Sequence, residues 1–407
     1  MKQYILISAA ALIALAACSK VTTGDDASTQ REIRFAVANF AQTKANVEYD
    51  KETNFGTYAW LNDGSGTAQV FMINETVGYN EKNNVWTTII NPFYWPKTGN
   101  IDFISYSPFA GTNGELPAAP AAGSDGTANG QSASQEETPA APEPVITRIK
   151  DKDYTFEYKD YRATGSEYDL MYADMAAAKT QNESTYTSIS GVDGGVPTLF
   201  HHALSRISFR IKVNFIDDAT PDSEATTTWE VKLQEADLYY VRHTGSLKLT
   251  MDANQAWVLP ATKTWASNNG YEHIPMYRAP EQQDGQQEEI PGQLLTTEYS
   301  ELLPEQFVLP QNLLLIGTPS PMLHIKLHIT TTLSSGNVLT EVYDETWMLS
   351  NWTPDQAWKM NHRYLYTINI KPTAPGNNPD TPSDVSVLFD PETEDWVVVE
   401  PVFEIEL

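Results

Sequence analysis

The sequence of this chain predicts an all-β fold, and three observations carry that expectation. Short runs alternate apolar and polar side chains with a period of two. Clusters of Gly, Pro, Asn, Asp and Ser punctuate the runs. No stretch holds a sustained helical period with end caps. At 407 residues the chain is long enough for two domains that each bury a core. The spacing of the strands suggests two β-sandwiches.

Residues 1–18 read as a signal peptide, with Lys2 as a basic start and an apolar core over 4–15. That core is too short to span a membrane. It ends in Leu15-Ala16-Ala17-Cys18, which resembles a bacterial lipobox, where the cysteine becomes the lipidated first residue of the mature protein. Each acyl chain contributes about 0.8 kcal/mol per buried CH₂, so multiple acylation anchors firmly. Ser19, rather than Asp, favours the outer membrane in the Gram-negative pattern. A polar tether follows over 19–30.

Ile33, Phe35 and Val37 then alternate with Glu32, Arg34 and Ala36, which predicts a strand ending near Lys44. Further strand-like runs lie at 55–61, 70–73, 85–90, 92–96 and 101–109. Residues 111–144 are rich in Ala, Pro, Gly, Ser and acids and lack aromatics. Such a segment cannot build a core and reads as a disordered surface loop within a domain. Strands resume at 145–149 and at Tyr154, Phe156 and Tyr158. The run 199–215 holds the longest amphipathic pattern, with Ile207, Phe209, Ile211, Val213 and Phe215 on one side. Strands at 229–233, 238–241, 247–251, 323–329, 342–349 and 364–370 follow, with a polar loop at 281–293.

A proline-broken linker over 372–384 leads to a terminal hairpin. Val385, Val387 and Phe389 form one apolar edge, and Phe403, Ile405 and Leu407 another, around an acidic turn beginning at Asp390. A strand with one apolar face needs a groove. One reading gives that groove to a second copy, by β-strand addition. The other is an ordinary edge hairpin of the chain's own domain.

The formal net charge of −27 argues against nucleic acid and anionic lipid head groups, because nothing offsets phosphate repulsion. Cys18 is the one cysteine, so the remainder has no disulfide, no cysteine metal site and no thiol nucleophile. His201 and His202 with Asp169 and Asp174 lack ligand spacing. His324 and His328 share one polar strand face, too far apart to chelate one ion. Ser205 lacks a G-x-S-x-G context. Gly64, Gly66, Gly194 and Gly195 read as turn glycines, and the Asp390–Asp395 turn lacks the EF-hand order. Nothing in the sequence supports an enzyme, a cofactor or a resident metal.

Six stretches taken in order resemble the fimbrillin family, the subunits of type V pili. They are the lipobox at Cys18, Phe55-Gly56-Thr57-Tyr58-Ala59-Trp60, and Tyr94-Trp95-Pro96 with Ile101-Asp102-Phe103-Ile104-Ser105-Tyr106. Asp169-Leu170-Met171-Tyr172-Ala173, His202-Ala203-Leu204-Ser205-Arg206, and Asn361-His362-Arg363-Tyr364-Leu365-Tyr366 running on to Trp396 complete the set. The resemblance implies two tandem transthyretin-like β-sandwich domains, over 45–197 (with the insertion 111–144) and 198–384. It also implies an outer-membrane lipoprotein precursor from which a trypsin-like protease removes a lipidated N-terminal strand. Here the tether and strand occupy 19–44, with Ile33, Phe35 and Val37 as the strand's apolar side. The cut falls at Lys44-Ala45, where the family's usual arginine is a lysine. The donor strands of the next subunit fill the groove. They span 385–407 and bring Val385, Val387, Phe389, Trp396, Val398, Phe403, Ile405 and Leu407. The implied partners are other pilin subunits, the outer membrane through Cys18, and a host receptor in cell adhesion. Two alternatives stay open: a tip or surface adhesin for host protein or glycan, and an uncleaved membrane anchor.

Overall fold

The computed structural model describes residues 32–39, 47–110, 145–150, 153–163, 169–180, 195–214, 227–252, 256–259, 264–267, 270–280, 290–333, 335–372 and 385–392. Among these residues regular structure is strand, apart from two short 3-10 turns at Leu349–Asn351 and Pro354–Gln356. The all-β expectation therefore holds.

In the N-terminal half the strands close on themselves. Asn100–Ser107 pairs Phe55–Asn62, which pairs Gln69–Asn80, then Val85–Thr88, Phe35–Asn39, Val196–His202 and Met171–Ala173. The last of these pairs back to Asn100–Ser107 through Tyr106↔Tyr172 and Ser107↔Met171. A β-sandwich was expected; here pairing at both edges of Met171–Ala173 joins the described strands into a ring. Alternation sorts the side chains between its faces. Phe55, Phe103, Trp86, Val196 and Phe200 form one core with Ile33, Phe35 and Val37. Tyr58, Trp60, Ile104 and Tyr106 form another, against a sheet built from Val145–Lys150, Asp153–Arg162, Thr244–Met251 and Trp257–Val258. Two-sided burial is why residues 55–60 read as nearly continuous apolar sequence.

A sandwich forms the C-terminal part. One sheet runs Ser300–Val308, Ser205–Val213, His362–Pro372, Val385–Glu392, and the other Tyr271–Arg278, Thr228–Arg242, Met322–Thr332, Val338–Met348. Ile207, Phe209, Ile211 and Val213 meet Val231, Leu233, Leu323, Ile325 and Leu327 between them.

Three expectations need correction. The run 199–215 is not one strand: Val196–His202 belongs to the ring and Ser205–Val213 to the sandwich, divided at the buried Ala203-Leu204. Nor does the segment 198–384 pack only on itself. Thr244–Met251 pairs with Asp153–Arg162, and Leu247, Leu249, Trp265, Leu309 and Met360 enter the core of Tyr58 and Trp60. Periodicity marks a strand but does not name its partner, so the return was invisible. Finally, Asp390-Pro391-Glu392 continues a strand rather than starting the acidic turn. Val385–Glu392 runs antiparallel to His362–Pro372, from Val385↔Pro372 to Glu392↔Leu365.

Candidate functional site

Phe35–Asn39 is the element around which the ring closes. It runs parallel to Val196–His202 from Phe35↔Val196 to Asn39↔Phe200. Its other edge meets Trp86 through Phe35 and Val47–Glu48 through Ala38 and Asn39. The lead-in is tied down as well: Ile33 N donates to Phe93 O at 2.8 Å and Val196 N donates to Arg34 O at 2.7 Å. Thr87 Oγ1 donates to Glu32 Oε1 at 3.0 Å.

Ile33, Phe35 and Val37 are all buried. Phe35 meets Phe55 and Phe103 edge to face, with centroids 5.6 and 5.8 Å apart. Burial of each such side chain contributes about 1.5–3 kcal/mol, so removing the strand would open an apolar slot lined by Phe55, Trp86, Phe103, Val196 and Phe200. Tyr49 adds a wall that the sequence reading missed. It stacks on Phe200 at 4.9 Å and bonds Ser107 Oγ at 2.5 Å, and burial pushes its phenol well above the usual range.

Residues 40–46, with Lys44 and Ala45, connect two strands paired antiparallel at Asn39↔Val47 and lie outside the described residues. So do Cys18, the insertion 111–144, and Trp396, Val398, Phe403, Ile405 and Leu407. Of the donor set, Val385, Val387 and Phe389 stand opposite Pro372, Ile370 and Ile368 in the register of the chain's own sheet.

The sequence-selected polar groups form separate clusters. His202 Nδ1 pairs with Asp169, while His201 Nε2 lies 3.0 Å from Asp174 Oδ1. These neighbouring histidines alternate across their strand, so the four groups do not converge. Ser205 Oγ donates to the Lys359 carbonyl at 2.7 Å. His324 is no isolated surface group: Nδ1 lies 3.3 Å from Asp237 and Nε2 2.8 Å from Asp344. Burial pushes the Asp237 carboxyl up, but hydrogen bonds with Arg278, His273 and His324 outweigh it and hold the group below the usual range. Asp237 was missed, because nothing local marks a carboxylate that burial will partner.

A fimbrillin-like family model matches residues 43–396. Among solved structures, a fimbrial protein from Bacteroides vulgatus is similar at 15% identity and a TM-score of 0.51, covering 90% of this chain and 100% of its own. A candidate cell adhesion protein from Bacteroides uniformis shares 16% identity at a TM-score of 0.39, over 90% of this chain and 99% of its own. Comparison with curated proteins finds no match. With a family match over most of its length and a fold shared with a fimbrial protein, the chain belongs to the fimbrillin-like family.

Proposed function

We propose that this protein is a structural fimbrial subunit that is exported as an outer-membrane lipoprotein on Cys18 and polymerises by strand exchange in support of cell adhesion. The observation that carries this reading is the central placement of Phe35–Asn39, bonded on both edges and buried on its apolar side. Cutting at Lys44-Ala45 releases that strand and leaves a slot that demands a new one, because unpaired buried backbone groups are costly. The family match begins at residue 43, so the strand lies ahead of the matched portion, as a removable segment would. The tail 385–407 of the next subunit is the donor. A head-to-tail contact of this kind does not close on itself and extends into a filament.

The test is N-terminal sequencing of the polymer shed from cells producing the full chain. A mature terminus at Ala45 is expected. A polymer whose subunits keep residues 32–39 would sink the exchange. The uncleaved anchor reading is favoured by one observation, Lys44 in place of arginine. It predicts a chain that keeps residues 32–39 and stays monomeric on the membrane.

A further inference from the structure

The strand Thr228–Arg242 changes its inward-facing parity partway along. Val231 and Leu233 are core residues before the change, and Ala236 and Leu238 after it. The cause is a bulge at Gln234, where pairing with Met322–Thr332 shifts register between Leu233 and Glu235. The Gln234 carbonyl is taken instead by Ala279 N at 2.8 Å. Bulges re-aim side chains and recur beside functional sites. This one turns Glu235, Asp237 and Tyr239 to the outer face.

There Asp237, fully buried, is approached by His273 Nε2 at 2.8 Å, His324 Nδ1 at 3.3 Å and Arg278 Nη1 at 2.6 Å. Tyr239 Oη donates to it at 3.3 Å and stacks on His273 at 4.7 Å. Ligand atoms of Glu235, Asp237 and His324 lie within 4.8 Å of one another. Behind the site, His324 Nε2 sits 2.8 Å from Asp344 Oδ1. A carboxylate behind an imidazole whose other nitrogen faces inward is the arrangement that orients metal-binding histidines. Two ligands at ~2 Å from a tetrahedral ion stand ~3.3 Å apart, the separation of Asp237 and His324.

We propose that Glu235, Asp237 and His324 form a site for a divalent transition-metal ion of the zinc class, with His273, hydrogen-bonded to Asp237 Oδ1 and outside that 4.8 Å group, turning in as the fourth ligand. Mixed imidazole and carboxylate donors suit such an ion, whereas calcium and magnesium take oxygen sets. Arg278 Nη1, 2.6 Å from Asp237 Oδ2, competes with the ion for that carboxylate. Its side chain is 42% exposed and its Nη1 lies 3.8 Å from Glu235, so it can leave Asp237 without crossing the core. The ligands come from Tyr271–Arg278, Thr228–Arg242 and Met322–Thr332, with Asp344 from Val338–Met348. The ion would therefore staple this sheet from one edge to the other.

The test uses the tag-free full chain, stripped with a chelator and titrated with zinc chloride by calorimetry, with thermal unfolding alongside. One zinc per chain and a raised Tm are expected. His324→Ala and His273→Ala should each weaken binding at least tenfold, and Asp344→Asn by about 10–100-fold. Arg278→Ala should tighten it, since the competing cation is gone. The two histidine variants keep the result readable if Asp237→Asn, which strands Arg278, does not fold. Zinc binding absent from both the parent chain and Arg278→Ala, or unchanged in His324→Ala, overturns the site and leaves an ion-pair cluster.

Discussion

Gly195 shows how one residue admits a whole strand. A Cβ placed there would stand 2.6 Å from Phe35 C and 2.7 Å from Ala36 N, closer than backbone can approach. In sequence it read as a turn glycine, because close approach depends on a neighbour remote along the chain. Gly195→Ala is expected to destabilise the precursor by about 1–3 kcal/mol through the forced shift. Phe35→Ala should cost about 3–5 kcal/mol by leaving a cavity. Both are read as lowered urea midpoints before any cut at Lys44. At the same scale, the hydrogen bond with His324 holds Asp344 below the usual carboxylate range. A lowered folded pKa adds stability that is fully present above roughly pH 4 and lost as pH falls through the folded value. Asp344→Asn should therefore flatten the fall of the urea midpoint below about pH 4.

At the scale of the element, the tail is where the two sequence readings met. Among the described residues Val385–Glu392 lies on the edge of its own sheet, as the edge-hairpin reading held for its first limb. Among the described residues it is paired along one edge alone, which is compatible with a strand that leaves for another subunit under the proposed exchange. Deleting 385–407 should then leave a folded precursor that yields monomers on cleavage, scored as loss of SDS-resistant ladders. Ladders that survive the deletion would rule out this tail as the donor. The strand itself was legible from Val385, Val387 and Phe389. Its end was not, because an acidic stretch with a proline reads as a turn until a neighbouring ladder holds it.

At the scale of the molecule, the excursion of Thr244–Met251 ties the halves together. Leu247 and Leu249 are core residues for Phe156, Tyr158 and Tyr172, which lie far earlier in the chain. A fragment ending at 197 would expose that aromatic surface, and one starting at 198 would expose the leucines. Neither fragment should give a cooperative unfolding transition alone, while co-expression should recover a complex; calorimetry of each would show this. Two independent melts would contradict the shared core.

Sequence alone determined the fold class, most strand positions, and the apolar side of 33–37, because alternation is a local property set by which face meets water. The resemblance carried by six short stretches was also in the residues. Tertiary structure decided the closed ring, the return of Thr244–Met251 and Trp265 to the first core, and the bulge that gathers Asp237, His273 and His324. Each of these is a choice of partner between segments distant in the chain. A strand's period states that it has two faces and two edges. Which other strand satisfies each edge is settled only when all of them compete for the same hydrogen bonds and the same buried volume.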